Sequence, residues 1–119
     1  MTETPEELRA RGLAKMSEVY GWKFEDGPGD FFGITADHLF ADIWSRPGLD
    51  IAQRRLLLIG LLAGRGDHDV LELQLEVAHK QGELDAAALR EIVIFLSHYA
   101  GWPTGARLNN VVEKLMKGS

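Results

Sequence analysis

The longest apolar run of the chain is Leu56-Leu57-Leu58-Ile59-Gly60-Leu61-Leu62-Ala63. Asp50 precedes the run as a helix cap, and Gly64-Arg65-Gly66-Asp67 follows it as a turn. A helix that is apolar on every side has to be buried on every side. The run therefore predicts either the central helix of an all-α protein or a helix in a contact between subunits. It is too short to span a bilayer.

Helix signals recur on both sides of this run. Thr4-Pro5-Glu6-Glu7 is typical of a capped helix start and predicts a first helix that ends near Tyr20. Further helices are predicted over 30–43, from the turn at 64–67 to a stop at Gly82, from the cap Asp85, and from the cap Thr104. No stretch alternates apolar and polar residues as a strand does. The sequence predicts an all-α bundle of about six helices.

Composition limits the possible functions. The chain has 119 residues, of which 45% are hydrophobic, so we expect one domain over 1–119 with an N-terminal helical arm and linker over 1–29 and a core over 30–117. The net charge of −5 argues against a nucleic-acid partner. The acidic start lacks the apolar segment of a signal peptide, and no segment predicts a membrane partner, so we expect a cytoplasmic protein. Because the chain contains no cysteine, thiol chemistry is excluded.

Two strings and one arginine resemble a known family. The strings are His38-Leu39-Phe40-Ala41-Asp42-Ile43-Trp44-Ser45-Arg46-Pro47-Gly48-Leu49 and Ser97-His98-Tyr99-Ala100-Gly101-Trp102-Pro103, and Arg54 lies between them. Together they resemble the γ-carboxymuconolactone decarboxylase family, which shares its fold with the alkylhydroperoxidase-D-like (AhpD-like) proteins. The resemblance implies an AhpD-like subunit in a homotrimer or homohexamer. It also implies cofactor-free decarboxylation of 4-carboxymuconolactone in aromatic compound catabolism.

The sequence departs from the family at three places. The redox branch has a Cys-x-x-Cys pair where this chain has Val93-Ile94-Phe95-Leu96-Ser97-His98, so peroxidase and thiol-reductase activities are excluded. Gln74 stands where the decarboxylase branch usually has a histidine. Ala100 stands where that branch often has a cysteine. These departures imply either a lost function or a site rebuilt for another substrate.

Decarboxylation of a carboxylated lactone or unsaturated acid needs neither a metal nor another cofactor, because the substrate itself accepts the electron pair. The protein has to supply a cation for carboxylates, a donor to the developing enolate, and an acid that protonates carbon. Arginine suits the first task, and histidine or tyrosine suits the others. The candidate catalytic residues are His38, His79, His98 and Tyr99, and the candidate substrate-binding residues are Arg46, Arg54, Trp44, Gln74 and Trp102.

Each candidate also has a structural interpretation. Arg46 is suited to capping the preceding helix, and His38 to stabilising a helix C-terminus. His79 fits a core or interface histidine, and Tyr99 fits a core tyrosine. The tryptophans fit packing positions, and at least one of Arg54 and Arg55 is expected to be solvated or paired with Asp50 or Glu72.

The sequence thus favours a cofactor-independent lyase that decarboxylates or otherwise transforms a small anionic organic substrate, a carboxylated lactone or unsaturated acid. The alternative is a non-catalytic binding or assembly protein that keeps the AhpD-like fold.

Overall fold

The computed structural model describes residues 2–118. In this range the chain forms six α-helices, one π-helix and no strand. The elements are α1 (Pro5–Tyr20), α2 (Asp30–Ile34), a π-helix (Thr35–Ile43), α3 (Ile51–Arg65), α4 (His68–Lys80), α5 (Ala86–Ala100) and α6 (Trp102–Lys117). The predicted all-α architecture is confirmed. None of the described helices combines the length and the apolar character that crossing a membrane requires.

Contacts within the chain define two compact units, one up to Ile51 and the other from Ala52 onward. In the first unit α1 packs on the π-helix. In the second unit α6 packs on α5 and on α4. The organisation as one domain, with an arm over 1–29 and a core over 30–117, stays a prediction.

Helix α1 begins and ends where the sequence predicts. The Thr4 hydroxyl accepts a hydrogen bond from the Glu7 amide at 3.1 Å, and the Glu7 carboxylate accepts one from the Thr4 amide at 3.2 Å. This reciprocal box satisfies two backbone donors that a helix start leaves without partners. Gly21 ends the helix in the left-handed region, at φ 81°. On the packed face, a Cβ at Gly12 would lie 2.0 Å from the carbonyl oxygen of Ala36, so the close approach of α1 and the π-helix requires glycine.

The helix predicted over 30–43 has the right extent but changes type after Ile34. From Thr35 to Ile43 it is a π-helix, whose wider hydrogen-bonding pattern reaches five residues along the chain. The Trp44 amide donates to the Leu39 carbonyl at 2.9 Å, which continues this pattern past the end of the helix. The apolar spacing of the segment fits an α-helix and a π-helix alike, so the sequence did not reveal the difference.

The core of the second unit lies on one side of α3. Its buried members come from α3, α4, α5 and α6: Ile59, Leu62, Ala63, Leu71, Leu75, Leu89, Val93, Leu108 and Val112. The opposite side of α3 stays open, because Leu57 and Leu61 are 65% and 55% exposed. The prediction that this helix is central, and so buried on all sides, is wrong for the described chain. A contact between subunits, the other possibility, stays a prediction.

The helix starts of α5 and α6 differ in how well they follow the sequence. The Asp85 carboxylate caps α5 as predicted, accepting from the Ala88 amide at 2.8 Å. The predicted cap Thr104 is wrong, since α6 already begins at Trp102 after Gly101. Pro103 explains the earlier start, because its fixed φ suits the first turn of a helix, where the missing N–H costs nothing.

Candidate functional site

Two of the predicted site residues, His38 and Arg46, line one cavity in the first unit. This cavity, the His38–Arg46 cleft, has a volume of about 500 Å³. Its walls are formed by Leu8, Arg11, Asp37, His38, Ala41, Asp42, Ser45, Arg46 and Pro47. The cleft therefore lies between α1, the π-helix and the turn that follows the π-helix.

The turn after the π-helix holds Arg46 at the cleft by a series of hydrogen bonds. The Ser45 amide donates to the Asp42 carbonyl at 3.1 Å, and the Ser45 hydroxyl donates to the Phe40 carbonyl at 2.8 Å. Trp44 lies beneath this turn and stacks on Phe40, with ring centroids 5.8 Å apart. The predicted substrate-binding Trp44 is buried and does not line the cleft, so here it anchors the turn.

Charges in the cleft are partly compensated. Arg9 donates to both carboxylate oxygens of Asp37, at 2.8 and 3.2 Å, and this guanidinium holds the pKa of Asp37 below its ordinary value. The exposed imidazole of His38 lies 3.7 Å, Nδ1 to Oδ2, from Asp42 on the next turn. Asp37 is therefore an ionised and already paired carboxylate, and two guanidiniums, those of Arg11 and Arg46, line the same cavity.

Arg11 was not among the predicted site residues. It lies on α1, and its Nη1 donates to the Ala41 carbonyl of the π-helix, 30 residues away in sequence. The nearest signal in the sequence was the neighbouring Gly12, a small residue inside a helix. That glycine marks a close packing contact but does not reveal what α1 packs against.

Gln74, another predicted substrate-binding residue, lies in the core of the second unit. Its side chain is 0% exposed, and its carboxamide oxygen accepts a hydrogen bond from Arg55 Nη1 at 2.8 Å. The other edge of the Arg55 guanidinium binds the Glu83 carboxylate through two hydrogen bonds of 2.6 and 3.0 Å. Sequence reasoning missed this buried polar cluster, because Arg55 and Glu83 lie 28 residues apart and each looks like a surface charge.

Arg54 is partly exposed near the start of α3, next to the buried Arg55. Its predicted role in substrate binding stays a prediction.

The predicted catalytic His79 lies in a different cleft of the second unit. It is half-buried near the end of α4, in a cavity of about 800 Å³ that Glu76, Lys80 and Lys114 also line. Its predicted alternative, a core position, describes it only in part, since the imidazole borders the cavity.

His98, Tyr99 and Trp102 lie together where α5 meets α6, all of them exposed. The His98 ring contacts Trp102 edge to face, with centroids 5.8 Å apart, and His98 Nδ1 lies 2.7 Å from the Ile94 carbonyl oxygen. Tyr99 is 80% exposed and contacts Phe95, so the interpretation of Tyr99 as a core tyrosine is wrong. None of these three residues lines a described cavity with His79.

Among the described residues, no three histidine, aspartate or glutamate side chains are grouped as a metal site would need. The predicted absence of a metal and of any other cofactor stays a prediction.

Comparison with known proteins gives two relatives. The chain is 28% identical to 4-carboxymuconolactone decarboxylase of Acinetobacter baylyi over 120 aligned residues, covering 94% of this chain and 89% of that protein. It is 30% identical to nitrosuccinic acid decarboxylase npaB of Metarhizium robertsii over 89 residues, covering 68% of this chain and 62% of that protein. No protein-family model matches the chain, and no solved structure matches it significantly.

Proposed function

We propose, on the premise of this confirmed resemblance to the carboxymuconolactone decarboxylases, that the protein is a cofactor-independent carboxy-lyase. Both relatives are named as decarboxylases, which supports a decarboxylase-like function. The proposed substrate is a small organic anion, a carboxylated lactone or a related unsaturated acid. The observation on which the proposal depends is that His38 and Arg46, both from the string 38–49, line one cleft.

In the proposed reaction Arg46 binds a carboxylate of the substrate. A guanidinium fits this task because its planar fork forms two parallel hydrogen bonds with a carboxylate. The bond between that substrate's reacting carbon and its departing carboxylate breaks, and carbon dioxide leaves. The electron pair moves into the unsaturated carbonyl system of the substrate, which is the electron acceptor, so the step needs no oxidant or reductant.

His38 is the proposed proton donor to the carbon that loses the carboxylate. Imidazole exchanges protons near neutral pH, and the exposed ring is able to recover its proton from solvent. Asp42, whose carboxylate lies 3.7 Å from the imidazole, favours the protonated ring by its opposite charge. This placement makes His38 the acid and Arg46 the carboxylate anchor of one site.

The finer structural expectations belong to the same proposal. The subunit has the AhpD-like arrangement of helices and assembles into a homotrimer or homohexamer, with the open apolar side of α3 in the contact. We also place the protein in the cytoplasm and its reaction in aromatic compound catabolism, as the resemblance implies.

A specific observation also supports the non-catalytic alternative. The position at which the family usually has a histidine contains Gln74, whose amide is buried and bonded to Arg55. A protein that has lost its acid at this position would bind small carboxylates without turning them over.

The experiment is to follow carbon dioxide release from a panel of carboxylated lactones and unsaturated or nitro-substituted dicarboxylic acids. Wild-type protein is compared with His38→Gln, and Arg90→Lys, at an exposed arginine of the second unit, is the control. We expect turnover with at least one substrate, loss of turnover in His38→Gln, and no change in the control. Binding of a substrate without release of carbon dioxide would support the alternative and contradict the proposal.

A further inference from the structure

The guanidinium of Arg11 is bound on two sides in different ways. Nη1 donates to the backbone carbonyl of Ala41, a contact that fixes the orientation of the guanidinium at the cleft. Nε and Nη2 point away from that contact and form two hydrogen bonds, of 2.9 and 3.0 Å, with the carboxylate of Glu3. The Nε–Nη2 edge of Arg11 is thus a preoriented fork with a carboxylate already bound to it.

Glu3 is placed so that it can leave this fork without disturbing a helix. It precedes Thr4, the cap of α1, so its backbone lies outside the hydrogen-bonding pattern of the helix. Its side chain and that of Arg11 are both more than a third exposed, and exposed pairs of this kind contribute little to stability. Arg11 also lowers the pKa of Glu3, so Glu3 binds as an ionised carboxylate at neutral pH.

We propose that Arg11 is a second carboxylate-binding residue of the His38–Arg46 cleft, and that Glu3 is an internal carboxylate which a ligand displaces from it. The other carboxylate of the ligand binds Arg46, an assignment that rests on the proposed function. The cleft then selects small molecules with two carboxylates over those with one. Glu3 competes with every such ligand and weakens the binding of all of them.

The volume and charges of the cleft agree with such a ligand. A space of about 500 Å³ is within the range of small-molecule sites. The cleft contains two carboxylates of its own, but Asp37 is paired with Arg9 and Asp42 lies beside His38. A dicarboxylate that replaces Glu3 keeps Arg11 paired while it adds an interaction with Arg46, and this second interaction is what a monocarboxylate lacks.

The test measures the binding of succinate and of butyrate, an acid with the same number of carbons but one carboxylate, by isothermal titration calorimetry at low salt. Three proteins are compared: wild type, Glu3→Gln and Glu6→Gln. Glu6 lies in the same acidic segment and removes the same charge, but the structure gives it no contact with Arg11. We expect Glu3→Gln to lower the Kd of succinate about two- to fivefold, the range typical of an exposed ion pair, while Glu6→Gln changes it little.

Arg11→Lys gives the second arm. It keeps the charge but not the fork, so succinate should bind less tightly and the preference for succinate over butyrate should shrink. Because the preference is a ratio, a partial loss of folded protein does not alter it.

An unchanged Kd for succinate in Glu3→Gln, an equal gain in Glu6→Gln, or an unchanged preference in Arg11→Lys would overturn the inference. Failure to release carbon dioxide from any substrate would instead contradict the proposed function and leave these binding results as they are.

Discussion

Arg55 Nη1 donates a hydrogen bond of 2.8 Å to the carboxamide oxygen of Gln74, and neither residue is more than 1% exposed. A carboxamide neither gains nor loses a proton near neutral pH. At the position where the resemblance leads one to expect a histidine, this chain therefore has a structural hydrogen bond. Any proton that the reaction needs has to come from another residue, which is why the exposed imidazole of His38 gains importance.

The first prediction concerns Glu83, which neutralises the buried Arg55 guanidinium. Glu83→Gln removes the charge but keeps the size of the side chain, and it leaves a buried cation without its counter-ion. We expect a loss of about 3–5 kcal/mol in the free energy of unfolding, measured by urea denaturation. Glu113→Gln is the matched control, because it removes an equivalent bidentate partner from the exposed Arg90 and should change stability little. Equal effects of the two substitutions would contradict this account.

The second prediction compares two helical glycines. Gly12→Ala would place a Cβ 2.0 Å from the Ala36 carbonyl oxygen, so α1 and the π-helix have to move apart. We expect a loss of about 1–3 kcal/mol, or more if the backbone resists. At Gly60, inside α3, an added Cβ meets nothing within 4 Å. Gly60→Ala should therefore stabilise the protein by roughly 0.5–1 kcal/mol. The melting temperatures of the two variants should move in opposite directions.

The third prediction is a dependence of stability on pH. The Arg9 guanidinium lowers the pKa of Asp37 in the folded protein. The stabilisation from this pair is fully present above the ordinary aspartate pKa of about 4, and is lost as the pH falls through the lowered folded value. Asp37→Asn should consequently be less stable than wild type at pH 7, and the gap between their urea midpoints should close near pH 2. A gap that stays constant over this range would show that the ion pair is not its source.

The fourth prediction concerns Arg46. Arg46→Lys keeps the charge but replaces the fork by a single ammonium, so kcat/KM on a confirmed carboxylated substrate should fall about tenfold. The melting temperature should change little, because the side chain is exposed. Arg54→Lys, measured beside it, tells whether the second predicted anchor takes part. If both variants keep the wild-type kcat/KM, the carboxylate anchor has to be sought in the His79 cavity.

The fifth prediction is that the protein forms homo-oligomers through the open side of α3. Leu61→Glu places a charge among exposed apolar residues, where it costs nothing to an isolated subunit but opposes their burial in a contact. Sedimentation equilibrium at micromolar concentration should show trimers or hexamers for wild type and lower masses for Leu61→Glu. A monomeric wild-type protein would contradict the prediction.

The sequence predicted those features that depend on local chemistry. The box between Thr4 and Glu7 and the cap at Asp85 were predictable because each joins residues three apart in the chain. Thr104 failed as a cap because Pro103 is an equally local signal and favoured an earlier start. In the cleft, His38 and Arg46 were predictable because one short string contains both.

Features that depend on distant pairing were not predictable. Arg11 reaches a carbonyl 30 residues away, and Arg55 binds a carboxylate 28 residues away. Nothing in the local sequence distinguishes either arginine from a solvated one. Hydrophobic periodicity likewise indicates which side of a helix is apolar, but not whether that side is covered, as the exposed Leu57 and Tyr99 show.

The π-helix makes the cleft sensitive to chain length as well as to side chains. A helix of this type arises when one extra residue is accommodated in an α-helical segment, and such segments are frequent at functional sites. Removing a single residue between His38 and Ile43 would let the segment relax to an ordinary α-helix, with its backbone hydrogen bonds intact. Everything after the deletion would then rotate by about 100° around the helix axis relative to what precedes it. His38 and Arg46 would point in different directions although neither had been mutated, so in this protein the spacing between them is itself a functional element.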